Sequence, residues 1–159
     1  MSARELLAAC SERGFGLAVA ESLTGGALSS CLVEIPGASV VFRGGIVSYA
    51  TELKYRLLGV DPDLLATKGP VHPKVAVQMA RGIAVRLGAE GQRTVGIATT
   101  GVAGPAPQGA AAVGTVFVAA VEGSRELVRE YRFDGDRAAI RSAAVDAALA
   151  LAFICVVAV

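Results

Sequence analysis

Three stretches of this chain, "FGLAVA" from Phe15, "RTVGIATT" from Arg93 and "AAVGTVFVAAV" from Ala111, are apolar at consecutive positions rather than at alternate ones. A strand with that pattern hides both of its faces, so it needs a covering layer of helices above and below. The intervening segments supply those helices. "ELLAACSERG" has helical spacing over about residues 2–13, and "ALSSCLVEI" suits a second helix that Pro36 and Gly37 end. "VVFRGGIVSYA" reads as a strand from about Gly44 to Ala50 with a bulge at its start, and Thr51 can cap a short helix, "ELKYRLLG". A helical turn follows Asp61, and a longer helix runs from about Pro73 to Leu87. "RELVREYRF" alternates well enough for a partly exposed strand, joined to its predecessor by a hairpin at Gly123 and Ser124. A final helix begins at about Asp136. This order predicts an α/β fold, a three-layer α/β/α sandwich with a mixed β-sheet, as one domain over residues 1–159.

Composition narrows the function. Hydrophobic residues make up 53% of the chain and charged residues 18%, which excludes a disordered protein. Fifteen Lys and Arg against 14 Asp and Glu leave a net charge of +1 with no run of like charges, so no nucleic-acid partner is expected. Three dispersed cysteines, Cys10, Cys31 and Cys155, support neither a disulfide framework nor a zinc ribbon and suit a reducing cytoplasm. No export signal is visible at the N-terminus, and the apolar tail of 13 residues from Ala147 falls short of the roughly 20 that span a bilayer. It reads as a buried helix finishing in an extended tail, with no membrane partner. The same apolar tail leads to an expected homo-oligomer.

Four segments can carry chemistry. In "AESLTGG", a strand ending in Glu-Ser enters a helix through two glycines, an arrangement that exposes backbone amides to an anion. Neither a Walker lysine nor the GxGxxG spacing accompanies it, and Ser22 or Thr24 as a plain helix cap accounts for the same letters. In "SYATELK", Tyr49 ends a strand and Lys54 sits in the first helical turn, where a desolvated amine near a positive helix terminus loses its proton more easily. Such a lysine can take a proton from a serine; a solvated surface lysine is the alternative, and Tyr55 competes for the tyrosine role. "TTGVAGP" opens a buried strand into a loop with Thr100 and Gly101 at its mouth. In "DGDR", Arg137 at a helix start can clamp a phosphate, with Arg141 one turn further as its competitor. His72, the one histidine, has no acidic or cysteine neighbour and carries no metal or triad role.

Together "AESLTGG", "GGIVSYATELKYRLLGV", "TTGVAGP", "VGTVFVA" and "GDR", over roughly residues 5–152, resemble the C-terminal domain of the CinA family, the nicotinamide mononucleotide deamidases. The resemblance implies hydrolysis of nicotinamide mononucleotide to nicotinic acid mononucleotide and ammonia, by a serine and a lysine without metal or other cofactor. It implies Ser22 as nucleophile, Lys54 as general base and Tyr49 as an aid to proton transfer, with Thr100 and Arg137 holding substrate. Our own expectation adds the backbone amides around Thr24, Gly25 and Gly26 as oxyanion donors. The chain departs from the family where "APQGAAAVGTV" stands in place of a loop ending in lysine and proline, and where "GPVHPK" puts His72 and Pro73 in place of serine and glutamate. A catalytically silent nucleotide-binding or interaction module of the same fold, or a hydrolase of a related amide, is the alternative reading.

Overall fold

The computed structural model describes residues 1–158. Five strands form one open sheet in the order β2-β1-β3-β4-β5. They are β1 Gly16–Glu21, β2 Phe42–Val47, β3 Thr94–Gly101, β4 Thr115–Glu122 and β5 Arg125–Arg132. β2, β1 and β3 run parallel, and β4 and β5 are antiparallel, so the sheet is mixed as expected. Six helices accompany it: α1 Ala3–Glu12, α2 Ala27–Val33, α3 Thr51–Leu58, α4 Pro62–Lys68, α5 Pro73–Leu87 and α6 Arg137–Val157.

The consecutive apolar residues of the central strands face two cores. Leu17, Val19, Val95, Ile97, Val116 and Val118 point toward α1, α2 and α6. Their neighbours Ala18, Ala20, Ala98, Phe117 and Ala119 point toward α5 and the segments around α3 and α4. Sheet and covering helices thus make the three layers. The α5 side is lined with small residues, which lets that helix lie close on the sheet. At Gly96 of β3 a Cβ would strike the carbonyl oxygen of Ala80 on α5.

Several boundaries differ from the sequence reading. β2 begins at Phe42 and ends at Val47, leaving Ser48, Tyr49 and Ala50 outside the strand. The expected bulge is present, with Leu17 opposite Phe42 and Ala18 opposite Gly44. Ala50, not Thr51, is the N-cap of α3, and it gives no side-chain bond to the helix. β4 begins at Thr115 because the residues before it make a tight hairpin in which Gln108 and Ala111 exchange both backbone bonds. His72 caps α5, its Nδ1 accepting from the Lys74 amide at 3.2 Å. α6 continues to Val157, so no extended tail occurs among the described residues; Val159 lies outside them. At 21 residues α6 is long and apolar enough to cross a bilayer, which the 13-residue apolar run from Ala147 alone is not. It nonetheless buries Ile140, Ala144, Ala148, Leu151 and Ala152 in the protein core, the use that its two-sided composition serves here.

Because Gly96 faces the Ala80 carbonyl, Gly96→Ala should lower stability by about 2 kcal/mol or more. Urea unfolding checks this, with the midpoint falling and the slope unchanged.

Candidate active site

Parallel strands leave the sheet at the same edge, so the C-terminal ends of β1, β2 and β3 gather their following residues in one place. Ser22 follows β1, Ser48 and Tyr49 follow β2, and Thr100 and Gly101 end β3. Between them lies a cavity of about 300 Å³, whose lining includes Ser22, Tyr49, Lys54, Thr100, Gln108 and Arg137. α3 turns back from the end of β2 and carries Lys54 to its floor.

Lys54 is the unusual residue. Its side chain is 1% exposed. Nζ donates to the Ser22 hydroxyl at 3.1 Å and to the Ser48 carbonyl oxygen at 2.6 Å, across 32 positions of chain in the first case. No carboxylate makes a salt bridge with it among the described residues. Burial in these surroundings pushes the amine from its ordinary 10.5 down to about 8, with Glu52 opposing the shift. A lysine in this state gives up its proton within reach of a hydroxyl, the arrangement that activates a serine nucleophile.

The segment from Ser22 to Gly26 forms a sharp elbow between β1 and α2, braced from three sides. The buried Glu21 carboxylate accepts from the amides of Gly26, Leu28 and Ser29 at 2.8–3.1 Å and from the Ser29 hydroxyl at 2.6 Å. The Thr24 and Thr99 hydroxyls share a bond of 2.8 Å. Arg141 on α6 donates to the carbonyl oxygens of Leu23 and Thr24, both at 2.9 Å.

These bonds correct part of the sequence reading. The Gly26 amide is spent on Glu21, and the Gly25 amide donates to the Ser22 carbonyl at 3.1 Å. Neither glycine therefore offers its N–H to a ligand in this conformation, and the start of α2 already holds an anion of its own. Thr24 keeps a free N–H, although its hydroxyl is used. Tyr49 also differs from expectation. It is 60% exposed at the cavity rim, where its hydroxyl accepts from Arg137 Nη2 at 3.0 Å, and no hydrogen bond joins it to Ser22 or Lys54. Its geometry is that of a rim group paired with Arg137, not of a member of the Ser22–Lys54 pair.

The other expected residues reach the cavity. Thr100 donates its hydroxyl proton to the Pro70 carbonyl at 2.7 Å and lines the cavity, as does Gly101. Arg137, at the first turn of α6, also donates to the Gly104 carbonyl at 2.7 Å and presents the one guanidinium of the cavity lining. Arg141, its competitor for that role, is committed to the elbow. Sequence reasoning missed the Ser48 carbonyl and the Glu21 brace. A main-chain acceptor has no letter that reveals it, whereas Glu21 stood in plain view next to Ser22.

A family model for the CinA C-terminal domain matches residues 1–156. The chain belongs to the CinA C-terminal domain family. This CinA domain is 51% identical over 140 residues to a "CinA-like protein" of Frankia casuarinae, covering 88% of this chain and 31% of that protein. It is 38% identical over 138 residues to a "putative competence-damage inducible protein" of Bacillus subtilis, covering 87% and 32%. The domain thus spans about a third of the length of the curated relatives it matches. Among solved structures, the competence/damage inducible protein CihA of Agrobacterium tumefaciens superposes with a TM-score of 0.88 at 36% identity, covering 97% of this chain and 92% of that one. A CinA superfamily protein of Klebsiella pneumoniae gives 0.92 at 28% identity, with 99% and 96% covered.

The buried amine makes a testable demand on stability. Between pH 8 and 10.5 the unfolded chain binds a proton at Lys54 that the folded domain does not, so folding stability rises with pH through that window. Lys54→Met should therefore stabilise the domain at pH 7 by about 1 kcal/mol, after the loss of the Ser48 bond. The advantage should shrink toward pH 10, as read from thermal unfolding at the two pH values.

Proposed function

We propose that this domain is an amidohydrolase that deamidates nicotinamide mononucleotide to nicotinic acid mononucleotide and ammonia, using Ser22 and Lys54 without a metal. The observation that carries this reading is the buried Lys54 amine held 3.1 Å from the Ser22 hydroxyl, with its proton affinity lowered to about 8. Family membership supports the substrate class, and the cavity lining supports it in kind. Its side chains offer hydroxyls, an amide, one amine and one guanidinium, but no carboxylate, imidazole or thiol that would favour a metal.

In this mechanism a neutral Lys54 accepts the proton of Ser22 through its lone pair while one of its two N–H groups stays on the Ser48 carbonyl, which restricts how the amine can turn. Ser22 Oγ attacks the carboxamide carbon, and the tetrahedral intermediate collapses as Lys54 returns the proton to the leaving ammonia. Water, activated by the same amine, then cleaves the acyl-enzyme. Arg137 and Thr100 hold the phosphate and sugar end, and Tyr49 keeps the guanidinium turned across the cavity mouth until a phosphate replaces it. Gln108 stands in the wall contributed by the loop that lacks the family's lysine. Arg137 is thus the one side chain of permanent positive charge in the lining, and it suits a single phosphate group.

The test is ammonia release from nicotinamide mononucleotide. Ser22→Ala and Lys54→Ala should each lower kcat by about 10³-fold or more. Arg137→Ala should raise KM by about tenfold with a smaller effect on kcat. Since Lys54 works only when neutral, kcat should fall as the pH drops below about 8, where fewer than half of the amines are unprotonated. Activity that survives both dyad substitutions removes the mechanism. Tight nucleotide binding without ammonia release leaves a binding module instead.

A further inference from the structure

The elbow that carries Ser22 has almost every polar backbone atom committed. The Ser22 amide donates to the Thr99 carbonyl, and the Ser22 carbonyl accepts from the Gly25 amide. The Leu23 carbonyl takes Arg141 Nε, and the Thr24 carbonyl takes both Arg141 Nη2 and the Ala27 amide. Glu21 holds Gly26, Leu28 and Ser29. What remains is the pair of amides at Leu23 and Thr24, which have no acceptor among the described residues although Leu23 is 4% exposed and Thr24 is fully buried. Buried N–H groups without a partner are rare in folded proteins, because each forfeits its bond to water and gains nothing in return.

We propose that Arg141 is the positioning residue that keeps these two amides free for the oxyanion formed when Ser22 attacks. The inference rests on the Ser22–Lys54 reading above. Its physical basis is the planarity of the peptide unit. The Leu23 carbonyl and the Thr24 N–H belong to one rigid plane and point in opposite directions, so a guanidinium that anchors the carbonyl also aims the Thr24 amide away from itself. The Thr24 carbonyl that it also holds shares its plane with the Gly25 N–H, which in turn anchors the Ser22 carbonyl and so sets the plane of the Leu23 amide. Arg141 fixes two successive carbonyls from the α6 side with its forked donors, and a single ammonium cannot reproduce that fork. Gly25, at φ +59°, lets the chain bend beneath the guanidinium, whose Nη2 lies 3.5 Å from where a Cβ would stand. Arg141 acts from behind the elbow and is absent from the cavity lining, so it works on Ser22 through the backbone and not by contact with substrate.

An alkyl fluorophosphonate tests this without depending on the identity of the amide. Ser22 Oγ forms the bond to phosphorus, fluoride leaves, and the hydroxyl proton passes to Lys54, while the phosphoryl oxygen takes the place of the oxyanion. The readout is the second-order rate of labelling, with the modified residue located by mass spectrometry. Arg141→Lys should slow labelling by about tenfold and Arg141→Ala by about 100-fold, the scale of losing one oriented oxyanion donor. Guanidinium ion added to Arg141→Ala should restore part of the rate, and the pH midpoint set by Lys54 should stay where it is in the wild-type domain. Labelling of both variants within about twofold of wild type overturns the proposal, as does a slow Arg141→Ala that guanidinium leaves unchanged. Loss of the fold in both variants, read by circular dichroism, assigns Arg141 to structure alone and also overturns it. A wild-type domain that is not labelled at Ser22 removes the nucleophile itself, whereas a labelled wild type with indifferent Arg141 variants removes only the positioning role.

Discussion

An amine with 1% exposure and no salt-bridged carboxylate among the described residues is costly to keep in a protein interior, and the rest of this domain is arranged around keeping it there. Lys54 has two oxygen partners, one a backbone carbonyl at the end of β2 and the other the Ser22 hydroxyl at the end of β1. Both oxygens stand where they do because β1 and β2 are parallel neighbours whose ends coincide. A salt bridge would have kept the amine charged. A carbonyl and a hydroxyl tolerate either protonation state, and burial decides between them, which is why the amine titrates near 8 rather than near its ordinary value.

Charge is distributed around the elbow with a similar economy. The positive start of α2 is occupied by Glu21 from within the chain, so it is not available to a phosphate, although a strand, two glycines and a helix in sequence suggest that use. The cation at the cavity mouth comes from α6, where Arg137 occupies the first turn and Arg141, one turn later on the same helix, reaches into the elbow instead. Two arginines four residues apart on one helix thus have separate surroundings. One meets solvent and Tyr49, and the other meets two carbonyls.

Much of this was legible in the chain. Strands apolar at every position require helices on both sides, and the two cores of alternating β1, β3 and β4 residues answer that requirement. Ser22, Lys54, Thr100 and Arg137 were all marked by local pattern, each at a strand end or a helix start. The boundaries were less legible. "IVSYA" has the letters of a strand beyond Val47, yet the pairing ends at Ser48, whose amide still donates to Glu21 of β1 while its carbonyl turns to Lys54. The final helix begins where "DGDR" marked it, but its apolar end was expected to finish extended, and α6 instead stays helical to Val157 because its tail packs Leu151, Ala152, Cys155 and Val156 into the core.

The sequence by itself determined the layering, the positions of the turns and the kinds of side chain available, since these follow from the periodicity of burial and from backbone preferences that act over a few residues. Only the tertiary structure decided which amides were free, which arginine met the cavity and whether Tyr49 touched Ser22 or Lys54. Those outcomes depend on hydrogen bonds between groups distant in the chain. The Arg141 bonds to Leu23 and Thr24 cross 118 and 117 positions, and the Arg137 bond to Tyr49 crosses 88. A donor has no intrinsic preference among carbonyls, so its partner is chosen by the packing that brings one of them within reach.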